Sequence, residues 1–214
     1  MTEDEATAWL RAHFDVPRET WEQLDAYVAM LLEEMGHQNL IAESTRAHIW
    51  ARHIVDSAQL LTLVPPAAPD ANWVDLGSGA GLPGMVVALL SGYRVTMIEM
   101  RRKRCEFLSH VVDTLGLANA SVFGRKVEQA RLDGPAAVIS ARAYAPMEKL
   151  IASAAHLAEF STVWVLPKGQ NYKNELDIAR SLWQSEARVE RSLTAPDSAI
   201  LVLTQVRRRR DKDN

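Results

Sequence analysis

The ten residues from Asp75 to Gly84, Asp-Leu-Gly-Ser-Gly-Ala-Gly-Leu-Pro-Gly, place four glycines and one carboxylate in the turn after an apolar run, Trp73, Val74 and Leu76. Gly77, Gly79, Gly81 and Gly84 remove the side chains that would hold a ligand away from the backbone. The run from Met85 to Leu90 then reads as a helix whose N-terminal amides face that ligand. Such a strand, glycine turn and helix can bind a nucleotide cofactor.

The identity of the cofactor turns on charge. Gly79, Gly81 and Gly84 satisfy the G-x-G-x-x-G spacing of a dinucleotide fingerprint, and Glu99 follows at the distance of a ribose-binding acid. By spacing alone, an NAD-linked oxidoreductase stands open. A carboxylate at the mouth of the turn, Asp75, would however repel a pyrophosphate, whereas S-adenosylmethionine carries a sulfonium and an ammonium and no phosphate. Asp75 therefore favours the methyl donor.

With 214 residues and 48% hydrophobic content, the chain is expected to form one domain with an appendage. A net charge of -3 argues against indiscriminate coating of nucleic acid. Two basic runs, Arg101 to Arg104 and Arg207 to Arg210, are either solvated surface or contacts for RNA phosphates. The lone Cys105 excludes an internal disulfide and reads as a small buried hydrophobe. The six histidines show no paired spacing, so no metal is expected. No stretch approaches the ~18 apolar residues of a membrane span. The first twenty residues lack the pattern of a signal peptide, so a cytoplasmic protein is expected.

Several elements must position this chemistry. From Glu5 to Leu63 the pattern is helical: Trp21, Leu24, Tyr27, Val28, Leu31, Leu32 and Met35 recur at three and four, and Gly36 closes the run as a C-cap. Further on, Arg52, His53 and Asp56 fall on neighbouring helical turns, before Pro65, Pro66 and Pro69 break the chain. Strands are predicted over 72–76, 94–99, 120–124, 136–140 and 162–166, alternating with helices over 83–91, 102–115, 146–158 and 170–184. Two β-like runs, 186–193 and 199–206, flank Pro196 and Asp197. The expected organisation is a helical N-terminal extension packed on the core (1–68), a Rossmann-like α/β domain (69–206) and a basic tail (207–214). Its sheet should be mostly parallel, covered on both faces and completed by an antiparallel hairpin.

In such a sheet the ligand lies beyond the carboxyl ends of the strands. Glu99, ending the second strand, can accept both ribose hydroxyls of an adenosine or cap the next helix. Val127 and Glu128, after the third, can frame an adenine edge. Arg142 and Lys168 end apolar strands, where a charge either faces a cleft or joins a surface ion pair. Both are candidates for holding an electron-rich acceptor. Arg52 and His53 are candidates for RNA contact or for interfacial packing.

Together with that glycine turn, Asn39-Leu40-Ile41, Arg52-His53-Ile54-Val55-Asp56-Ser57, Lys103-Arg104 before Phe107-Leu108, Arg125 to Glu128, Ser140-Ala-Arg-Ala143 and Lys168-Gly169 resemble a known family. It is the 16S ribosomal RNA guanine-N7 methyltransferases, also called glucose-inhibited division protein B, and the resemblance covers about residues 20 to 206. It implies a Rossmann-like S-adenosylmethionine-dependent fold, with Gly77, Leu82, Val127, Glu128 and Arg142 lining the donor pocket and Glu99 on the ribose. Arg142 would serve both cofactor and acceptor.

The implied acceptor is a guanine in a loop near the decoding region, within the small ribosomal subunit or an assembly intermediate. Guanine N7 has a free lone pair, so attack on the methyl needs no general base. That agrees with a sequence lacking an evident catalytic dyad. The site set is then Arg142 and Lys168 for catalysis, with Asp75, Gly77, Gly79, Gly81, Leu82, Glu99, Val127, Glu128 and Arg142 for the donor. A monomer is expected. The rivals are a small-molecule methyltransferase lidded by the N-terminal helices and an RNA-binding accessory protein with a vestigial turn.

Overall fold

The computed structural model describes residues 1–209. Its sheet contains β1 (Asn72–Leu76), β2 (Arg94–Ile98), β3 (Ala120–Phe123), β4 (Ala136–Ala141), β5 (Ala158–Lys168), β6 (Trp183–Arg191) and β7 (Ala199–Arg208). They lie in the order β3-β2-β1-β4-β5-β7-β6. The first five pair in parallel, and β7 runs antiparallel to both β5 and β6. The chain thus winds outward from β1 in two directions, opening a crevice at the carboxyl ends of β1 and β4.

Side chains alternate across the central strands, so successive residues enter different cores. Trp73 and Met97 pack with α2 (Arg18–Glu34), α4 (Gly84–Leu90) and α5 (Arg102–Leu115) on one face. Val74, Leu76 and Ile139 pack with α6 (Met147–Ala154) and α7 (Tyr172–Leu182) on the other.

The continuous helical pattern expected over residues 5–63 is divided. Pro17 separates α1 (Glu3–His13) from α2, because proline cannot supply a helical N–H. After α2 come a 3-10 turn (Glu43–His48), a π-helical turn (Trp50–Val55), the short α3 (Asp56–Ala58) and a second 3-10 turn (Gln59–Leu63). The carboxylate of Glu3 accepts from the N–H groups of Trp50 and Ala51, both at 3.0 Å, and ties α1 to that irregular segment. Gly36 does not take the left-handed conformation of a C-cap; its N–H reaches the Glu33 carbonyl instead. Gly116, at φ 63, ends α5 in that way.

Other boundaries shift for reasons of pairing. The helix expected over 146–158 stops at Ala154, since Ala158 already pairs with Ala136 in the sheet. Arg207 and Arg208, expected in a tail, are strand residues opposite Gln184 and Trp183, because the ladder continues past residue 206. Arg210 and the remainder of the expected tail lie outside the described residues.

Candidate active site

Asp75, next to last in β1, has 0% exposure. Its carboxylate accepts from the Gly84 N–H at 3.2 Å and from Ser140 Oγ at 2.8 Å, while Ser140 Oγ accepts from Trp73 Nε1 at 2.8 Å. Burial raises the carboxyl's pKa, and the hydrogen bonds from Ser140 and Gly84 oppose that rise. The sequence puts Asp75 on the donor; in the fold its side chain is fully buried and lines neither of the two cavities described below. Its work is to join β1, β4 and the start of α4 beneath the turn. Gly81 and Leu82, also expected on the donor, line neither cavity. Leu82 is 3% exposed, and a side chain on Gly81 would press on Leu108, Met85 and Tyr27. Both belong to the packing between the turn and the N-terminal helices, where the buried Tyr27 hydroxyl donates to the Ala80 carbonyl.

Gly77, Glu99, Val127 and Glu128 line a cavity of about 410 Å³ together with Ala143 and Tyr144. Glu99 is buried at its floor. Glu99 Oε2 accepts from the Gly79 N–H at 3.1 Å and Oε1 from the Arg101 N–H at 2.8 Å, with Arg104 Nη1 at 3.7 Å. Each carboxylate oxygen has two lone-pair sites, so Glu99 keeps acceptor capacity beyond these bonds, the chemistry a ribose diol would need. Since Arg101 is also the N-cap of α5, Glu99 steadies the helix start as well. Beside it, Cys105 Sγ donates to the Glu99 carbonyl at 3.0 Å, and burial followed by the Glu99 charge raises the thiol's pKa. Cys105 is held as a neutral thiol.

A neighbouring cavity of about 640 Å³ is lined by Arg52, His53, Asp56, Arg142, Tyr144 and Lys168, among others. Arg142 Nη1 lies 3.2 Å from His53 Nδ1 and 3.4 Å from Asp56 Oδ2. Arg142, expected to serve both cofactor and acceptor, lines the larger cavity and not the smaller one, its guanidinium drawn there by partners on the N-terminal extension. A guanidinium only donates, so His53 Nδ1 must accept, leaving Nε2–H to donate to Thr45 Oγ1 at 2.7 Å. Thr45 in turn donates to the Ala42 carbonyl. Lys168 Nζ sits 2.7 Å from Glu175 Oε2 and 3.3 Å from the Ala145 carbonyl. Lys168 thus lines the larger cavity while paired with Glu175, and it braces the turn after β4.

The arginine contact makes His53 neutral. Burial, then Arg142 and Arg52, push its pKa from 6.5 down to about 4. The unfolded chain takes up a proton near pH 6.5 that the folded chain accepts only near 4, so His53 costs stability as pH falls through that window. Urea unfolding at pH 7 and pH 5 should show a smaller loss for His53→Gln than for the native chain. An equal loss would refute the assignment.

Arg52, His53 and Asp56 fall on adjacent turns by sequence, but only the fold shows that His53 and Asp56 grip Arg142 while Arg52 donates to the Thr194 carbonyl. Tyr144, shared by both cavities, was missed altogether.

Sheet order, glycine turn and the acid at the end of β2 define a Rossmann-like, S-adenosylmethionine-dependent methyltransferase. A crystal structure of an S-adenosylmethionine-dependent methyltransferase from Aquifex aeolicus superposes with a TM-score of 0.56, covering 81% of this chain and 95% of that one at 12% identity. The chain belongs to the rRNA small subunit methyltransferase G (GidB) family, whose model matches residues 20–200. Among its relatives, ribosomal RNA small subunit methyltransferase G of Zymomonas mobilis is 46% identical over 99% of this chain and 98% of its own length. The protein of the same name from Rhizorhabdus wittichii is 48% identical over 98% and 95%. Among the described residues, no helix is long and apolar enough to cross a membrane.

Proposed function

We propose that this enzyme transfers the methyl group of S-adenosylmethionine to N7 of a guanine in 16S ribosomal RNA, in an unpaired loop near the decoding region. The acceptor would be met within the small subunit or an assembly intermediate. One observation carries the choice of atom: the larger cavity offers Arg142 as a donor, while among the described residues its imidazole and carboxylates are already engaged by Arg142 or Lys168. His53 Nδ1 is occupied by Arg142, Asp56 accepts from Arg142, Gln59 and Thr194, and Glu175 is paired with Lys168. An exocyclic amine or a hydroxyl must shed a proton on methylation, whereas N7 attacks with a lone pair it already has. Arg142 would donate to guanine O6, and the N7 edge must come from unpaired RNA because the major groove of an RNA duplex is too narrow.

On this reading Gly77, Glu99, Val127 and Glu128 hold the donor, which supplies an electrophilic methyl when bound. Exposed Arg101, Arg125 and Lys126 rim that cavity and offer contacts for phosphates. Glu99→Gln replaces one acceptor oxygen with a donor at constant volume. Loss of a charge-assisted hydrogen bond costs about 1.5–3 kcal/mol, so the donor Kd should rise roughly 10- to 100-fold in calorimetry. An unchanged Kd would remove Glu99 from the donor site.

The function itself is tested by incubating the enzyme with isotopically labelled donor and small subunits that lack the modification, then mapping the label by mass spectrometry. Label at N7 of one guanine is the expected result. Label on another atom, or none in RNA while a small molecule is methylated, would overturn it.

A further inference from the structure

The two cavities meet at Ala143 and Tyr144, which line both. On the reading above, an acceptor in the larger cavity meets a methyl group held in the smaller one at this boundary. Among the described residues, Tyr144 is the one benzenoid ring in either lining. We propose that the Tyr144 ring is the platform on which the acceptor purine stacks while its N7 is presented to the donor, an inference that rests on the guanine reading above.

Three features of the turn after β4 support this role. The ring is seated directly on the donor loop: a Cβ at Gly77 would lie 2.6 Å from Tyr144 Cδ2, so only glycine lets the ring settle there. Between Arg142 and Tyr144, Ala143 adopts φ 52, a left-handed conformation unusual for a residue with a side chain. Strain of this kind persists only where the surroundings impose it, and here Lys168 Nζ braces the turn at the Ala145 carbonyl, 3.3 Å away. The turn delivers Arg142 and Tyr144 to the same cavity. Finally, the Tyr144 hydroxyl has only a long contact, 3.5 Å to Ser153 Oγ. The ring rather than the hydroxyl is what the position supplies.

The chemistry is complementary to a purine. Arg142 donates to the base edge at O6 and limits its rotation in the plane, while an aromatic face limits its tilt. Two such constraints align N7 with the methyl, and alignment is where a transfer without proton removal gains its rate.

The test compares the full-length enzyme with Tyr144→Phe and Tyr144→Leu, measuring donor Kd by calorimetry, kcat and KM on unmodified small subunits, and the position of the label. Tyr144→Leu should lower kcat/KM roughly 10- to 100-fold, the range set by loss of base stacking. Its donor Kd and melting temperature should stay near the native values, and Tyr144→Phe should restore the rate. Tyr144→Met provides a second non-aromatic variant if leucine is not accommodated. A non-aromatic variant as active as the native enzyme, with label still on guanine N7, would overturn the platform and leave the guanine reading intact. A loss that merely follows weaker donor binding would make the ring a wall of the donor cavity and equally overturn it. Label on an atom other than purine N7 in the native enzyme would instead sink the underlying reading.

Discussion

Arg142→Ala should lower methyl transfer to small-subunit RNA by about 10²–10³-fold, the cost of deleting one preorganised donor from a reacting centre. The guanidinium is positioned before any substrate arrives, because His53 Nδ1 and Asp56 Oδ2 hold one of its nitrogens. Among the described residues its other N–H groups make no hydrogen bond, and on the proposed reading they would meet guanine O6. Donor affinity should change little, since Arg142 is absent from the lining of the smaller cavity. Arg142→Lys should recover only part of the rate: a compact ammonium cannot bond His53, Asp56 and a base edge together as a planar fork does. Single-turnover transfer with saturating donor measures the effect. A native rate in the alanine variant would remove Arg142 from the reaction.

Asp75→Ala should act first on stability. It leaves the Gly84 N–H and the Ser140 hydroxyl without their acceptor at a position of 0% exposure. An unsatisfied buried group costs about 1–3 kcal/mol, so a total of roughly 2–4 kcal/mol is expected once Ser140 has reoriented. For a chain of this size that lowers Tm by about 5–15 °C. Donor binding should weaken as a consequence, because the start of α4 loosens under the glycine turn. Asp75→Asn keeps one acceptor oxygen and should fall between. Thermal melting with and without S-adenosylmethionine separates the two effects. An alanine variant with the native Tm, yet with weak donor binding, would restore the direct contact expected from the sequence.

The elements that build the sheet were open to a reader of the sequence. The helix expected over 102–115 coincides with Arg102–Leu115, and the strand over 72–76 with Asn72–Leu76. Apolar periodicity and turn chemistry act over a few residues and leave their mark within those few residues. The glycine turn and Glu99 were visible for the same reason, since each sits where a strand ends. In the N-terminal region that logic reached its limit: residues 39–63 carry a helical rhythm but form 3-10 and π turns, because packing on α1 and α4 overrides local preference.

The direction in which a side chain points was not written in any local pattern. Asp75 stands beside the glycines in the chain, yet its carboxylate turns inward to Ser140, 65 positions away. Arg142 is claimed by His53 from 89 positions away, and Tyr144 shares a wall with Gly77 only because β1 and β4 are neighbours in the sheet. Hydrogen bonding and close packing depend on distance in space, and that distance is set by strand order and by the docking of the N-terminal helices. Residue types and their spacing therefore marked the glycine turn and the acid that follows β2. Only the folded chain divided the site into two cavities and put the arginine in the second.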